Sequence, residues 1–195
     1  MVDNFELIKP LLSFDSSDDF YFMQLIQRRK ENPTMEKNSR AVKNWLIHSM
    51  DQLDNYKPDI ISLANHFNAR ATIRLNKRSY KQCAFESLAL LAKNLSVADY
   101  TPVDKLYSSV MGSFHADKEK KWLLDADDIA IDSPIVTEIA DFIRQLQPVG
   151  EKLVAVIPSR SGCHVITKPF NPQTFIKAYP KIEIQKDTPT NIYIP

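Results

Sequence analysis

Glycine is almost missing from this chain: three occur in 195 residues, at Gly112, Gly150 and Gly162. Dinucleotide fingerprints and P-loops need several close-set glycines so that backbone amides can approach phosphate, and neither can be built here. Any phosphate must be held by side chains or by a metal. Cysteine is scarcer still, with two residues, Cys83 and Cys163, far apart in the chain. That excludes a disulfide framework and a Cys-x-x-Cys metal pair, and a reducing, cytoplasmic setting is expected. Neither sign of charge dominates, since 25 Lys+Arg face 24 Asp+Glu. Attraction to nucleic acid by overall charge is thereby excluded, and only local segregation of charge can supply it. Long apolar runs are absent too. None approaches the roughly 18 residues of a membrane span, and the acid-bearing N-terminus "MVDNFELIKPLLSF" does not read as a signal peptide, so no membrane partner is expected.

What remains is an ordinary globular balance, 44% hydrophobic and 25% charged. It fits a single compact domain over residues 1–195, with a soft lobe boundary near residue 115. The pattern predicts an α+β fold of mixed or antiparallel sheets flanked by helices. "NFELIKPLL" reads as a short helix, and "FYFMQLIQRR" and "RAVKNWLIHS" read as the two strands of a hairpin. "DNYKPDIISLANHF" is a helix. "ARATIRLN" alternates as a half-buried strand, with Ala69, Ala71, Ile73 and Leu75 inside and a basic outer face carrying Arg70 and Arg74. "SYKQCAFESLALLAKNL" is the clearest helix, with Ser79 as N-cap and an apolar stripe through Cys83, Leu88, Leu91 and Leu95. A further helix is expected over "PVDKLYSSVMG". Beyond residue 120 come strand "KWLLDA", helix "SPIVTEIADFIRQL", strands "KLVAVI" and "CHVITK", helix "PQTFIKAY", and strands "KIEIQ" and "NIYI".

Two stretches carry candidate chemistry. In "WLLDADD", Asp125 and Asp127 are two apart on a strand, so both carboxylates project from one face, roughly 6 to 7 Å apart at the backbone. Such a pair can chelate Mg²⁺ or Mn²⁺, which take oxygen ligands, or it can merely be the polar end of a buried strand. In "IPSRSGCHVITKPF", Ser161 and Gly162 form a tight turn that sets His164 at the start of the returning strand, where it can donate to a phosphate oxygen or bond to backbone. Arg160 and Lys168 flank it. Arg28 and Arg29 cluster at a strand end, and with Arg70 and Arg74 they can grip phosphate or simply protect a solvated edge.

Taken together, "WLLDADD" and "SGCHVI" resemble the first two catalytic motifs of the archaeo-eukaryotic primase superfamily, the primase-polymerases of plasmids, phages and mobile elements. The resemblance covers roughly residues 121–195. It implies a primase-polymerase-like catalytic core with an RRM-like C-terminal half, and metal-dependent nucleotidyl transfer on a single-stranded nucleic-acid template. By position it makes Asp125 and Asp127 metal ligands and His164, with Ser161, Arg160 and Lys168, the nucleotide contact. A third motif implies one more acidic ligand, Glu183 on "KIEIQ" or, as the alternative, Asp187. Expected partners are nucleotides, single-stranded nucleic acid and a separate helicase or replication protein, since no helicase domain accompanies the motifs. Two other classes stay open: a non-catalytic nucleic-acid or nucleotide-binding accessory protein of a phage or mobile element, and a metal-dependent nuclease.

Overall fold

The computed structural model describes residues 1–100, 103–113 and 118–195. The chain is α+β, and every strand pairing within the described residues is antiparallel. It begins with β1 (Val2–Asp3), α1 (Phe5–Ile8) and a 3₁₀ turn at Lys9–Leu11. The long hairpin β2 (Asp19–Arg28) and β3 (Ser39–Ile47) follows, then α2 (Met50–Phe67), β4 (Arg70–Ile73), β5 (Arg78–Ser79) and α3 (Tyr80–Ser96). A 3₁₀ turn at Val103–Lys105 leads into α4 (Leu106–Ser113). Ser49 caps α2 by accepting from the Gln52 amide, and Ser79 caps α3 by accepting from the Gln82 amide. These hydroxyls satisfy amides that a helix start otherwise leaves bare. The lobe boundary expected near residue 115 lies outside the described residues.

The first sheet has the order β1-β10-β4-β2-β3, with β5 also pairing β2. Its central strand β2 is apolar on both faces because both are covered. Tyr21, Met23 and Leu25 pack with Phe5, Leu53 and Ile60 of α1 and α2. Phe20 and Phe22, on the opposite face, pack with Cys83, Val110 and Met111 of α3 and α4. Two expectations need correction. Leu88 and Leu95 of α3 are 62% and 51% exposed, so of the expected stripe Cys83 is buried and Leu91 half-buried, with Leu90 packing beside them. The helix is apolar nearly all round, and sequence periodicity therefore could not select its inner face. Strand β4 is also buried on both sides, Arg70 and Thr72 included, so its basic face is not an outer one.

The second half is a β-α-β-β-α-β unit: β6 (Trp122–Asp127), α5 (Pro134–Gln145), β7 (Leu153–Pro158), β8 (Gly162–Thr167), α6 (Pro172–Ala178) and β9 (Glu183–Gln185). Ser133 caps α5 and Pro134 opens it, where the missing N–H costs nothing. The strands assemble as β7-β8-β6-β9. One face, with Leu124, Ala126, Cys163 and Val165, packs under Val136 and Ile139 of α5 and Phe175 of α6. The other face places Leu123, Ile157 and Ile166 in the same apolar cluster as Met23 and Ile60, so the two sheets share a core. No described helix is long and apolar enough to cross a membrane.

The final strand, β10 (Thr190–Ile194), leaves the second unit and inserts between β1 and β4 of the first sheet. A buried ion network holds this return. Asp187, in the β9–β10 connection, accepts from Nη2 of the fully buried Arg78 at 2.7 Å and from Nδ2 of Asn76 at 3.0 Å. Arg74 bonds the same residue through its carbonyl and carboxylate. This corrects two site expectations. Arg74 lies beyond the end of β4 and turns onto Asp187, and Asp187 neutralises two arginines instead of facing an open site. Removing one partner of a buried pair strands the other charge and typically costs about 3 to 5 kcal/mol. Asp187→Ala is therefore expected to lower the urea midpoint sharply; a variant with unchanged stability would mean that Asp187 is not a structural anion.

Candidate functional site

The second sheet's inner face builds a cross-strand row. His164 of β8 stands opposite Asp125 of β6, and Glu183 of β9 stands opposite Asp125 on its other side. Directly opposed residues share a sheet face. One step towards the strand end, Asp127 faces Gly162. A Cβ on Gly162 would lie 2.2 Å from the Ala126 carbonyl oxygen and 2.9 Å from the Asp128 amide nitrogen. Only glycine permits that approach, which gives the Ser-Gly-x-His spacing its physical reason. Chain reversal after β6 puts Asp128 at φ 63°, a left-handed conformation that aspartate tolerates, and its amide donates to the Ser161 carbonyl at 2.8 Å. Ser161 Oγ then donates to Asp127 Oδ1 at 2.8 Å and fixes that carboxylate.

Between the two sheets lies a polar cavity of about 150 Å³. Asp125, Asp127 and His164 form one wall, and Arg28, Arg70 and Thr72 from β2 and β4 form the other, with Lys30 and Arg160 beside them. Anionic and cationic side chains thus face each other across one small space. Complete sites for drug-sized ligands measure about 300 to 1,000 Å³, so this cavity admits a phosphate group and an ion, not a whole nucleotide. The Ser159 hydroxyl is buried at its wall without a hydrogen-bond partner among the described residues, a polar group open to a ligand.

Glu31, from the β2–β3 loop, organises the cationic side. Its buried carboxylate accepts from Arg70 Nε at 2.7 Å and also bonds Arg70 Nη2, and Arg160 Nη1 lies 3.0 Å away. Burial pushes the Glu31 carboxyl up, but Arg70 and Arg160 outweigh it and hold the group below its usual value. The opposite wall behaves differently. Burial, then the charges of Asp127 and Glu183, raise the Asp125 carboxyl above its usual value, with Arg28 and Lys30 opposing. A carboxylate disfavoured by neighbouring carboxylates is relieved by a cation.

His164 is 8% exposed, and burial drives its pKa from 6.5 down to about 4, so the ring is neutral at pH 7. Nδ1 lies 2.8 Å from Thr190 Oγ1, and Nε2 lies 3.6 Å from Asp125 Oδ1. A carboxylate only accepts, so the proton belongs on Nε2, with the Thr190 hydroxyl donating to Nδ1. Held this way, Nε2–H is directed to the anionic wall and is available to a phosphate oxygen.

Among the described residues no group of three or more His, Cys, Asp or Glu side chains is gathered closely enough to hold a metal unaided. A hard divalent cation nonetheless fits the donor set, because Mg²⁺ is commonly held by one or two carboxylates with substrate phosphates and water completing the shell. Asp125 and Asp127 are those carboxylates. Glu183 perturbs Asp125 electrostatically but is exposed, accepts from Gln185 Nε2 at 3.1 Å, and does not line the cavity.

Of the residues singled out in the sequence, Asp125, Asp127, Ser161, His164, Arg160, Arg28 and Arg70 converge on the cavity. Arg29 does not line the cavity and borders an adjoining surface groove that shares Arg28 and Lys30 with it. Lys168 follows the far end of β8 and lines another groove with Lys118 and Lys120, so it does not flank His164. Glu31, Thr72 and Ser159 were missed; a lone acid in a polar loop and two hydroxyls carry no pattern that sets them apart. No protein-family model, curated protein or solved structure matches the chain.

Two measurements test this electrostatic account. In chelator, Asp125→Asn is expected to raise Tm, because it removes a charge the fold disfavours; about 2 to 4 °C accompanies each kcal/mol in a chain of this size. Mg²⁺ or Mn²⁺ should raise Tm of the wild type and leave the variant unmoved. A wild type indifferent to both cations would remove Asp125 from any metal site. The second reads pH. The folded state keeps His164 unprotonated down to about pH 4, whereas the unfolded chain binds the proton near 6.5. Stability from this group is full above 6.5 and is lost as pH falls towards 4, by about 3 kcal/mol at the limit. Denaturant titrations across that window should show the acid-side loss in wild type and its absence in His164→Asn.

Proposed function

We propose that this chain is a metal-dependent nucleotidyl transferase of primase-polymerase type, acting on nucleotides over a single-stranded nucleic-acid template. The observation that carries the reading is the juxtaposition of Asp125 and Asp127 with Arg28, Lys30, Arg70 and Arg160 around a cavity of about 150 Å³. Transfer of a nucleotidyl group needs carboxylates for a divalent ion and cations for the triphosphate, set a few ångströms apart and shielded from bulk water. Further support comes from the element order and the β7-β8-β6-β9 arrangement of the second unit, which is that of an RRM-like sheet whose two central strands bear Asp125, Asp127 and His164.

In this reading Asp125 and Asp127 would hold Mg²⁺ or Mn²⁺, which when bound supplies charge neutralisation at the reacting phosphate. Arg70 and Arg160, with their guanidinium planes, bind phosphate oxygens, and Glu31 keeps both forks aimed at the cavity. His164 donates from Nε2 without adding a charge, and Ser159 offers a further hydroxyl. Base and sugar lie outside the cavity, along the open ends of the two sheets.

A second reading is favoured by one observation, the position of Glu183 outside the cavity, which leaves the carboxylate set at two. It makes the chain a non-catalytic nucleotide or nucleic-acid-binding accessory protein. Purified protein incubated with labelled nucleotides, single-stranded DNA with and without primer, and Mg²⁺ or Mn²⁺ separates the two. The transferase reading expects product from wild type and at least a 10²-fold loss in Asp125→Ala and Asp127→Ala. Salt-sensitive strand binding that persists in chelator, with no incorporation, would replace it with the binding reading. Shortening of the DNA would instead identify a nuclease.

A further inference from the structure

Charge balances over the whole chain but not at the end of the β2–β3 hairpin. Arg28, Arg29, Lys30, Lys37 and Arg40 crowd into residues 28–40 beside two acids, Glu31 and Glu36. Glu31 turns inwards and is taken up by Arg70 and Arg160, which leaves Glu36 as the outward acid of the segment. Among the described residues none of the five cationic head groups forms an ion pair or a hydrogen bond. This is the local segregation of charge that the overall composition lacks.

The backbone beneath these cations is fixed. The Arg29 amide donates to the Asn38 carbonyl at 2.9 Å, which closes the hairpin end. Asn32 Nδ2 donates to the Asn68 carbonyl at 2.9 Å, Asn68 Nδ2 donates to the Glu31 carbonyl at 2.8 Å, and Gln27 Nε2 donates to the Phe67 carbonyl at 2.8 Å. The turn is thus fastened to the C-terminal end of α2. Cations held on an ordered turn give up less freedom when a ligand arrives.

Arg28, Arg29 and Lys30 line an open groove of about 700 Å³ with Pro33 and Asn38, and no acid is among its lining residues. Arg28 and Lys30 also line the cavity that holds Asp125 and Asp127, so groove and cavity are continuous. A ligand whose charge ended inside the cavity would leave the groove unanswered. An acidic peptide could answer it, but could not continue into a cavity whose far wall is two carboxylates. A phosphodiester chain can do both, since its oxygens suit arginine forks on one side and a divalent ion on the other.

We propose that this groove seats a single-stranded nucleic acid, its sugar–phosphate backbone running past Lys30 and Arg29 from a phosphate held in the cavity. The inference rests on the reading of the cavity as a phosphate site, and it adds the surface that takes the strand and a grip that needs no metal.

The test is fluorescence anisotropy of a labelled dT strand of about 12 nucleotides with the full chain, in chelator, from about 50 mM to about 1 M salt. Wild type is expected to bind, with affinity falling steeply as salt rises. Arg29→Ala should reduce the slope of log K against log salt by about 0.7 and weaken binding roughly eightfold at about 50 mM, converging with wild type near 1 M. Arg29→Lys should retain the slope. Melting should not change in either variant, because the Arg29 side chain is exposed and makes no bond. Lys168→Ala, in the remote groove, should bind as wild type does. No binding by wild type at about 50 mM, an unchanged slope in Arg29→Ala, an equal loss in Lys168→Ala, or polyglutamate of equal charge competing as tightly as DNA would each overturn the proposal. Catalysis is scored apart from this. A wild type that makes no product yet loses strand affinity in Arg29→Ala keeps the groove and removes the transferase; product formation with strand binding indifferent to Arg29→Ala does the reverse.

Discussion

Asp187 takes the last segment of the chain out of the second sheet and into the first. Its carboxylate is shared by Arg78 and Asn76, with Arg74 closing over it, and Asn76 in turn donates to the carbonyls of Lys121 and Lys186. The anion thus ties the segment after β4, the approach to β6 and the exit from β9 at one point. A buried carboxylate among arginines is not cheap, since each ion gives up its hydration. What it secures is position. With β10 held between β1 and β4, Thr190 reaches His164, and the inner face of the second sheet meets the first at a fixed distance. Asn4 adds a second constraint near the start of β10, donating to the carbonyls of Pro158 and Asn191 and so to both sheets.

Two kinds of electrostatic environment coexist across the cavity. On the cationic wall Arg70 and Arg160 are answered inside the protein, because Glu31 accepts from Arg70 and lies within ion-pair distance of Arg160. On the anionic wall Asp125 is opposed by Asp127 and Glu183, and its carboxyl is raised. The first arrangement adds rigidity, while the second leaves a charge that the fold would be more stable without. Such an uncompensated group is characteristic of sites kept for binding or chemistry at a cost in stability.

The local pattern made most elements legible. β2 and β3 were visible from aromatic and β-branched density, α5 from Ser133-Pro134, and the β6–β8 pair from two apolar runs ending in Asp-x-Asp and Ser-Gly-x-His. These signals are encoded within a dozen residues. Arg78 and Asp187, 109 residues apart, form a contact that no local pattern encodes, and Asp187 therefore read as a free acid near the motifs. Arg70 read as outward-facing for a related reason. Alternation tells which residues share a face, but not that a second sheet will cover it. Glu31 shows the limit most clearly: its role comes wholly from the two arginines that fold onto it.

The opposed walls also constrain what the cavity can bind. A free phosphate meets the arginines but is repelled by Asp125 and Asp127; a free divalent cation meets the carboxylates but faces Arg28, Lys30 and Arg70. Each ligand alone satisfies one wall and works against the other. Bound together, the cation screens the phosphate from the carboxylates and the phosphate screens the cation from the arginines. By linkage, whatever one gains from the other's presence is returned in equal measure. Under the proposed reading the cavity therefore selects a metal–phosphate pair over either component, and it does so through two walls of opposite charge in a chain whose total charge nearly vanishes. Selectivity of this sort depends on the separation of the walls, and that separation is set by where β10 is held.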